Sequence, residues 1–305
     1  MSEFLLDDAG CGAIGAHLEA LGWCSVRRIG DGNMNRTVRV RGPHGSYILK
    51  QSRPYCVKYP QIPAPVERAA VEAAFYRIVA GYSAVAGAMP RLLEFDAESN
   101  LLCLEDLGDV GDLMGLYRTG ELTADTCREL VAYLRALHAI PIAEPGLLVN
   151  RAMRKLNFDY QYDLPMRSEA ARGLRSNALY AQRIVELGEL YLADGAHLLH
   201  GDFFPGSWLV SAAGVKVIDP EFCFLGPREY DLGIFLAHLV FIRGEHLWDL
   251  VWAEYGADVD WELARRFAGA ELMRRLIGVA QLPLAADDDT KAVWLRKSEE
   301  LVCAD

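Results

Sequence analysis

The sequence lacks the features that mark membrane-spanning and disulfide-stabilised proteins. It has no run of about 18 apolar residues, the length that a transmembrane helix needs, and its N-terminus lacks the basic flank of a signal peptide. The seven cysteines are odd in number and none is spaced as Cys-x-x-Cys, which favours neither a disulfide framework nor a zinc site. We therefore expect a cytoplasmic protein with reduced thiols.

Positive charge is also scarce. The 31 Lys and Arg residues against 42 Asp and Glu residues give a formal net charge of −11. Nucleic acids and anionic membrane surfaces favour clustered basic residues, so we expect neither as a partner. The chain has 305 residues, of which 52% are hydrophobic, and this length suits two domains better than one.

The stretch from His200 to Glu221 is the most informative part of the sequence. Asp202 follows an apolar pair, and Gly201 beside it allows the backbone of a tightly bent loop. An apolar strand pattern then ends at Asp219 and Glu221, and two carboxylates at a strand end suit Mg²⁺ bound together with phosphates. Taken singly, these acids are equally well turn residues or solvated strand ends. Taken together, they indicate metal-assisted phosphoryl transfer.

A glycine loop lies near the N-terminus and is followed by a lysine. A predicted strand at 26–29 leads into Gly30, Gly32 and Asn33, and Lys50 lies on a later strand. Protein-kinase-like folds hold a nucleotide with a glycine loop between antiparallel strands and a lysine on the next strand. Glycines also serve ordinary hairpin turns, and most lysines at strand ends are solvated. The order of the loop and the lysine favours the nucleotide-binding interpretation.

These motifs resemble those of a known enzyme family. Residues 200–202 (His-Gly-Asp) and 218–222 (Ile-Asp-Pro-Glu-Phe) resemble the small-molecule kinases that include aminoglycoside phosphotransferases and choline kinases. Residues 219–233, 30–35 and 49–51 are most similar to the methylthioribose kinase group of that family. The resemblance covers most of the chain.

The resemblance implies an α+β, two-lobed protein-kinase-like fold. Residues 1–107 would form a nucleotide-clamping lobe with an antiparallel sheet, and residues 108–305 a mainly helical catalytic and substrate lobe. A helix over 65–80 would carry the glutamate that pairs with the strand lysine, and Glu72 is favoured over Glu67 for this role.

The resemblance also assigns the remaining cofactor contacts. ATP and Mg²⁺ are the implied cofactors. Backbone groups around Glu105 and Leu107, after a predicted strand, would meet the adenine at a hinge. Asp219 and Glu221 would bind the metal, and Ser207 would assist it directly or through water.

Catalysis and acceptor binding are expected in the second lobe. Asp202 would orient the acceptor hydroxyl and take its proton, and Asp231 would brace the catalytic loop. Arg274 and Arg275 resemble paired arginines that lie beside the sugar and the transferred group. The alternative for Arg275 is an ordinary helical ion pair with Glu271, four residues earlier.

The predicted function is transfer of the ATP γ-phosphoryl group to a hydroxyl of a small sugar-like metabolite, methylthioribose first. An aminoglycoside or amino-alcohol phosphotransferase is the alternative, and a non-catalytic nucleotide or metabolite sensor is the hypothesis of another class. Phe204 departs from the resembled group, which tends to have histidine there. The oligomeric state is left open, with a homodimer as one alternative.

Periodicity predicts further elements. Helices are expected over 123–138, where Thr123 is the cap, over 230–241 and over 261–279. Further expectations are a short helix at 8–21, an irregular insertion at 53–65, an aromatic loop at 150–165, one helix at 168–192 and a solvated loop at 287–289.

Overall fold

The computed structural model describes residues 25–304 except 31 and 44, together with Leu6 and Gly22. The helix predicted at 8–21 lies outside the described residues. Contacts divide the chain into two compact units, Met1–Val110 and Gly111–Asp305. The functional assignment of two lobes, drawn from the sequence at 107/108, remains a prediction.

The first unit is built on a five-stranded antiparallel sheet with the order β1-β2-β3-β7-β6. Alternation of side chains places Val38, Val40 and Leu49 on one face, where they pack with Leu6 in an apolar cluster. The strands are β1 (Ser25–Arg28), β2 (Asn35–Gly42), β3 (Gly45–Ser52), β6 (Leu92–Asp96) and β7 (Leu101–Glu105). The predicted strands around 26–29 and Lys50 are thus confirmed, whereas β6 was not predicted.

The opposite face of this sheet carries the main helix of the unit. Helix α1 (Arg68–Val79) contacts β3, β6 and β7 and buries the apolar positions predicted for it. A four-residue helix, α2 (Ser83–Ala86), follows. The helix predicted over 65–80 is therefore confirmed, with its start three residues later.

The expected irregular insertion at 53–65 is instead a small hairpin, so that prediction was wrong. Strands β4 (Tyr55–Cys56) and β5 (Tyr59–Pro63) pair antiparallel. The turn between them donates Lys58 N–H to the Asn33 carbonyl oxygen at 3.0 Å, which ties it to the glycine loop. A two-residue strand is too short to show alternation, and prolines in the second strand weakened the signal further.

The second unit is mainly helical, which confirms the predicted α+β class. Two short antiparallel ladders, β8–β11 and β9–β10, lie among its helices. No helix in the described ranges is long and apolar enough to cross a membrane. The strands are β8 (His197–Leu199), β9 (Trp208–Ser211), β10 (Gly214–Val217) and β11 (Phe224–Gly226). The helices are α3 (Leu116–Thr119), α4 (Ala124–His138), α5 (Arg151–Phe158), α6 (Leu164–Arg167), α7 (Arg172–Ser176), α8 (Ala178–Leu192), α9 (Glu229–Phe241), α10 (Trp248–Tyr255), α11 (Trp261–Ile277) and α12 (Asp288–Cys303).

The long periodic helices appear where they were predicted. Thr123 caps α4 by accepting the Thr126 N–H, and α9 and α11 match the two apolar patterns to within two residues. Helices α9 and α11 pack on each other and carry Asp231, His238, Glu271, Arg274 and Arg275.

Three other expectations were wrong. The aromatic stretch 150–165 is helical and includes a π-helical turn at Asp159–Asp163, because its aromatic residues pack inward. The helix expected at 168–192 is broken where Asn177 caps α8 by accepting two backbone N–H groups. The acids at 287–289 begin α12, with Asp287 as its cap, since carboxylates favour the positive end of a helix.

Candidate active site

Two features fix the backbone of the loop after β8, the conformation of Gly201 and the hydrogen bonds to Asp231. Gly201 has φ +86°, and a Cβ there would lie 2.1 Å from the Phe222 carbonyl oxygen, so only glycine fits. Asp231, in the first turn of α9, accepts the N–H groups of His200 at 2.6 Å and Gly201 at 2.9 Å. These contacts are those of the predicted bracing aspartate, and the loop they fix presents Asp202.

His200 is buried beneath this loop as a neutral link. The Asp202 N–H donates to His200 Nδ1 at 3.3 Å, so Nδ1 is an acceptor and Nε2 carries the proton that it donates to the Ile218 carbonyl oxygen at 3.0 Å. Burial lowers the pKa of His200, although the Asp231 carboxylate opposes this. His200 thereby joins the catalytic loop to the strand end that precedes Asp219.

Asp202, Arg274 and Arg275 meet in the structure. Oδ1 of Asp202 accepts Arg274 Nη2 at 3.1 Å and Arg275 Nη2 at 2.9 Å. Both arginines are buried, whereas the Asp202 side chain is 22% exposed. Oδ2 takes part in neither ion pair.

Glu271 holds both arginines from within α11. Its Oε1 accepts Arg275 Nε at 2.7 Å and its Oε2 accepts Arg274 Nε. The i,i+4 ion pair is thus present together with the contact to Asp202, and the two interpretations do not exclude each other. Burial would raise the pKa of Glu271, but the two guanidiniums and the His238 N–H hold it well below its usual range.

A tyrosine and a histidine extend this network. A carboxylate only accepts, so His238 Nε2 donates to Glu271 Oε1 at 3.1 Å, and Nδ1 accepts from the Tyr117 hydroxyl at 2.7 Å. Burial lowers the pKa of His238 to about 4, so the ring is neutral near pH 7. Sequence reasoning missed both residues. The available signal was a histidine inside the otherwise apolar helix α9.

A second series of hydrogen-bonded side chains, again with a tyrosine and a histidine, supports the backbone of the loop. His138 Nε2 donates to Asp231 Oδ2 at 3.1 Å, and His138 Nδ1 is hydrogen-bonded to the Tyr255 hydroxyl at 2.7 Å. The series Tyr117–His238–Glu271 therefore fixes the arginines that bind the Asp202 side chain. The series Tyr255–His138–Asp231 fixes the peptide groups that precede Asp202.

Phe204 lies against Arg275. The Arg275 Cζ atom is 4.7 Å from the centre of the Phe204 ring, which is itself 5.5 Å from the His238 ring. A Cβ on Gly206 would lie 2.5 Å from the Phe204 ring, so glycine makes room for it. The residue that departs from the resembled group thus supports a guanidinium that binds Asp202.

The predicted metal ligands lie at the end of β10. Asp219 adopts a left-handed backbone with φ +63°, and Glu221 follows it in a 3₁₀ turn and is buried. The Ser207 hydroxyl accepts the Phe204 N–H at 3.2 Å and lies 2.8 Å from the Phe204 carbonyl oxygen, so it closes the catalytic loop. Within the described residues, no group of three or more His, Cys, Asp or Glu side chains could hold a metal. One or two carboxylates together with phosphate oxygens are the usual ligands of Mg²⁺, so Asp219 and Glu221 remain the predicted metal ligands.

The first unit contains a buried lysine–glutamate pair. Lys50 Nζ lies 2.8 Å from Glu72 Oε2, and both side chains are almost fully buried. Glu67 is exposed and precedes α1, so the structure pairs Lys50 with the favoured candidate. An ammonium fixed in this way can bind phosphate oxygens.

The glycine loop has open space above its backbone. Gly30 has φ +69°, and a Cβ on Gly30 or Gly32 would meet no atom of the described residues within 4 Å. The Asn33 carbonyl oxygen is occupied by the Lys58 N–H of the small hairpin. The loop is therefore anchored at one end and unobstructed at its glycines, as a phosphate-covering loop requires.

The residues predicted for adenine binding lie at the end of β7 and just after it. The Glu105 carboxylate accepts the Arg91 N–H at 3.1 Å, and Leu107 is half-buried. Sequence reasoning missed the pair beside them, in which Arg39 Nε lies 2.8 Å from Asp106 Oδ2 with both side chains buried. A charged residue on a strand is usually solvated, so nothing in the pattern singled out Arg39.

Comparison with known proteins agrees with this geometry. Residues 25–267 match the phosphotransferase enzyme family, and the chain belongs to that family. Curated relatives include methylthioribose kinase of Exiguobacterium sibiricum, 28% identical over 84% of this chain and 80% of that protein. Another is methylthioribose kinase 1 of Oryza sativa, 27% identical over 74% of this chain and 57% of its own length. The chain is thus an ATP-dependent small-molecule kinase that phosphorylates a hydroxyl.

Solved structures show the same fold at low sequence identity. The chain is similar to choline kinase LicA from Streptococcus pneumoniae, with a TM-score of 0.58 and 14% identity over 96% of this chain and 98% of that one. It is also similar to an aminoglycoside phosphotransferase, APH(4)-Ia, with a TM-score of 0.56 and 16% identity over 95% and 97% of the two chains. These neighbours confirm the predicted kinase-like fold.

Proposed function

We propose that the acceptor of this kinase is a neutral or anionic sugar-like metabolite, with methylthioribose or a related pentose first. The observation that carries the proposal is the double ion pair from Arg274 and Arg275 to Oδ1 of Asp202. The curated relatives named methylthioribose kinase support the same substrate class.

The charge balance of this cluster disfavours a polyamine. Two arginines face two carboxylates, Asp202 and Glu271, so their formal charges cancel and leave no excess negative charge for an ammonium group. Guanidinium groups are donors only, and they suit the oxygen atoms of a sugar or of the transferred phosphoryl group. An amine would bring further donors to a site that already has a surplus of them.

The proposed reaction uses the free oxygen of Asp202. As the acceptor oxygen forms its bond to the γ-phosphorus and the bond to the ADP oxygen breaks, Asp202 Oδ2 takes the hydroxyl proton. Arg274 and Arg275 keep the carboxylate in one orientation and favour charge on the transferred oxygens. No proton needs to leave His200 or His238, because burial lowers the pKa of both.

The remaining roles concern the nucleotide. Lys50, held by Glu72, binds phosphate oxygens, and the backbone from Gly30 to Asn33 covers them. Asp219 and Glu221 would hold Mg²⁺, which neutralises phosphate charge when bound. Glu105 and Leu107 would lie at the adenine. A cytoplasmic location and a homodimer remain proposals from the sequence.

A substrate panel tests the proposal. Purified protein with Mg²⁺ and ATP is assayed against methylthioribose, related pentoses, choline and kanamycin, with Arg274→Ala and Arg275→Ala in parallel. We expect a pentose to give the highest kcat/KM and both substitutions to lower it. Efficient phosphorylation of kanamycin or choline without pentose turnover would instead establish the aminoglycoside or amino-alcohol alternative.

A further inference from the structure

Arg39 lies on the same face of the first sheet as Lys50. The strand register pairs Thr37 with Lys50 and Arg39 with Ile48. Residues two apart on a strand point to the same side, so these four side chains share one face. The apolar cluster around Val38 occupies the other face. An arginine and the proposed phosphate-binding lysine therefore line a common surface.

The segment after β7 grips the edge of the Arg39 guanidinium. Nε lies 2.8 Å from Asp106 Oδ2, Nη1 donates to Asp109 Oδ1, and Nη2 donates to the Gly108 carbonyl oxygen. Asp106 is itself fixed, since it accepts the Ser46 hydroxyl and the Gly108 N–H. The guanidinium is therefore held in one orientation by the backbone that the proposed adenine site uses.

This arrangement limits what Arg39 can offer to a ligand. Hydrogen bonds to a guanidinium lie in its plane, and Nη1 and Nη2 make such bonds to Asp109 and Gly108. Nε contributes an ion-pair contact with Asp106 at 2.8 Å that lacks hydrogen-bond geometry. The flat faces are outside these bonds, and an arginine face stacks well on a nucleobase. Burial of the Arg39–Asp106 ion pair costs desolvation free energy. Apolar side chains could pack against the same turn without that cost.

We propose that Arg39 is a base-contacting residue whose guanidinium plane stacks on the purine of ATP. The inference rests on the proposed function, because it places the base beside the segment from Glu105 to Asp109. Stacking accepts any base, but it is stronger for the larger purine ring than for a pyrimidine. Arg39 therefore adds affinity for the base and a preference for purines, while Lys50 binds the phosphates.

The test compares ligands that share the triphosphate and differ in the base. Binding of ATP, CTP and inorganic tripolyphosphate, each with Mg²⁺, is measured by calorimetry for the full chain and for Arg39→Met. We expect ATP to bind about tenfold more weakly to the variant, CTP to lose less, and tripolyphosphate to bind unchanged. Arg27→Met is the matched control, because Arg27 is 68% exposed and reaches Asp109 at 3.4 Å.

Each other outcome decides against the inference. An equal loss for ATP and tripolyphosphate would make Arg39 a purely structural clamp, and an unchanged ratio of ATP to CTP affinity would remove the stacking role. If Arg39→Met does not fold, Arg39→Lys supplies the same comparison, since it keeps the charge and lacks the planar group. Failure of the proposed function would appear separately, as absence of pentose phosphorylation by the unmodified protein.

Discussion

Both units pair buried charges of opposite sign, but the charge that is held is an anion in the second unit and a cation in the first. In the second unit two buried cations converge on one oxygen of an anion, Asp202. In the first unit one buried anion, Glu72, holds a cation, Lys50. Each pairing compensates a costly buried charge. In the proposed mechanism, the second unit would present a carboxylate oxygen to a hydroxyl proton, and the first would present an ammonium to phosphates.

Asp202→Asn should greatly slow phosphoryl transfer and leave nucleotide binding intact. This is the largest effect that we expect. An amide cannot accept the hydroxyl proton, so kcat should fall by about 10²–10⁴-fold. The Kd for Mg-ATP should stay close to that of the unmodified protein. Steady-state kinetics and calorimetry measure the two quantities, with the exposed Asp249→Asn as a control. Wild-type turnover in Asp202→Asn would remove Asp202 from the catalytic role.

Asp219→Asn should do the reverse and weaken nucleotide binding. Loss of a metal carboxylate exposes phosphate charge, and we expect affinity for Mg-ATP to fall by about 10–100-fold. Titration of ATP into the Asp202 and Asp219 variants, with and without Mg²⁺, makes the comparison. If both variants bound Mg-ATP equally well, the division of roles would be lost.

Much of the fold was predictable because its long elements are periodic. Helix α9, helix α11 and the Thr123 cap follow from spacing alone. Two of the wrong predictions concern 53–65 and 150–165, where strands of a few residues or a π-helical turn give no period to detect. Tertiary packing determines such segments, and a single sequence does not display it.

The site was predictable only where its residues are adjacent in the chain. Asp202, Asp219 and Lys50 stand in recognisable local patterns. The partners Tyr117 and His238 are 121 residues apart, and their hydrogen bond depends on how the helices pack. The resemblance supplied Arg274 and Arg275, but it gave no indication of the histidine behind them.

The neutral histidine behind Glu271 should make stability depend on pH. His238 protonates near pH 6.5 in the unfolded chain and only at about 4 when folded, because burial lowers its pKa. Between these values the unfolded chain binds a proton that the folded protein does not. The free energy of unfolding should therefore fall as pH falls through this window, by up to about 1.4 kcal/mol per pH unit from this residue.

His238→Gln provides the sharper measurement. Its amide can donate to Glu271 and accept from Tyr117 without titrating, so the pH slope of urea unfolding should be smaller than in the unmodified protein. Buried His200 contributes a slope of the same sign, so some dependence should remain. The exposed His246→Gln controls for the substitution itself. An unchanged slope in His238→Gln would mean that His238 already titrates normally in the folded state.

Substitutions of Phe204 should give the smallest effect. They test how the arginines that bind Asp202 are oriented. Phe204→Leu keeps an apolar side chain but removes the ring that faces Arg275 at 4.7 Å, whereas Phe204→Tyr keeps the ring. A partly exposed cation–π contact contributes about 0.5–1 kcal/mol, so kcat/KM for the acceptor should fall about two- to fivefold in the leucine variant only. The KM for ATP should not change.

A double variant tests the same contact. In an Arg275→Lys background the planar guanidinium is gone, and Phe204→Leu should then lower kcat/KM by a smaller factor than it does alone. Equal losses in the leucine and tyrosine variants would show that Phe204 acts through packing volume, and the arginines would then owe their orientation to Glu271.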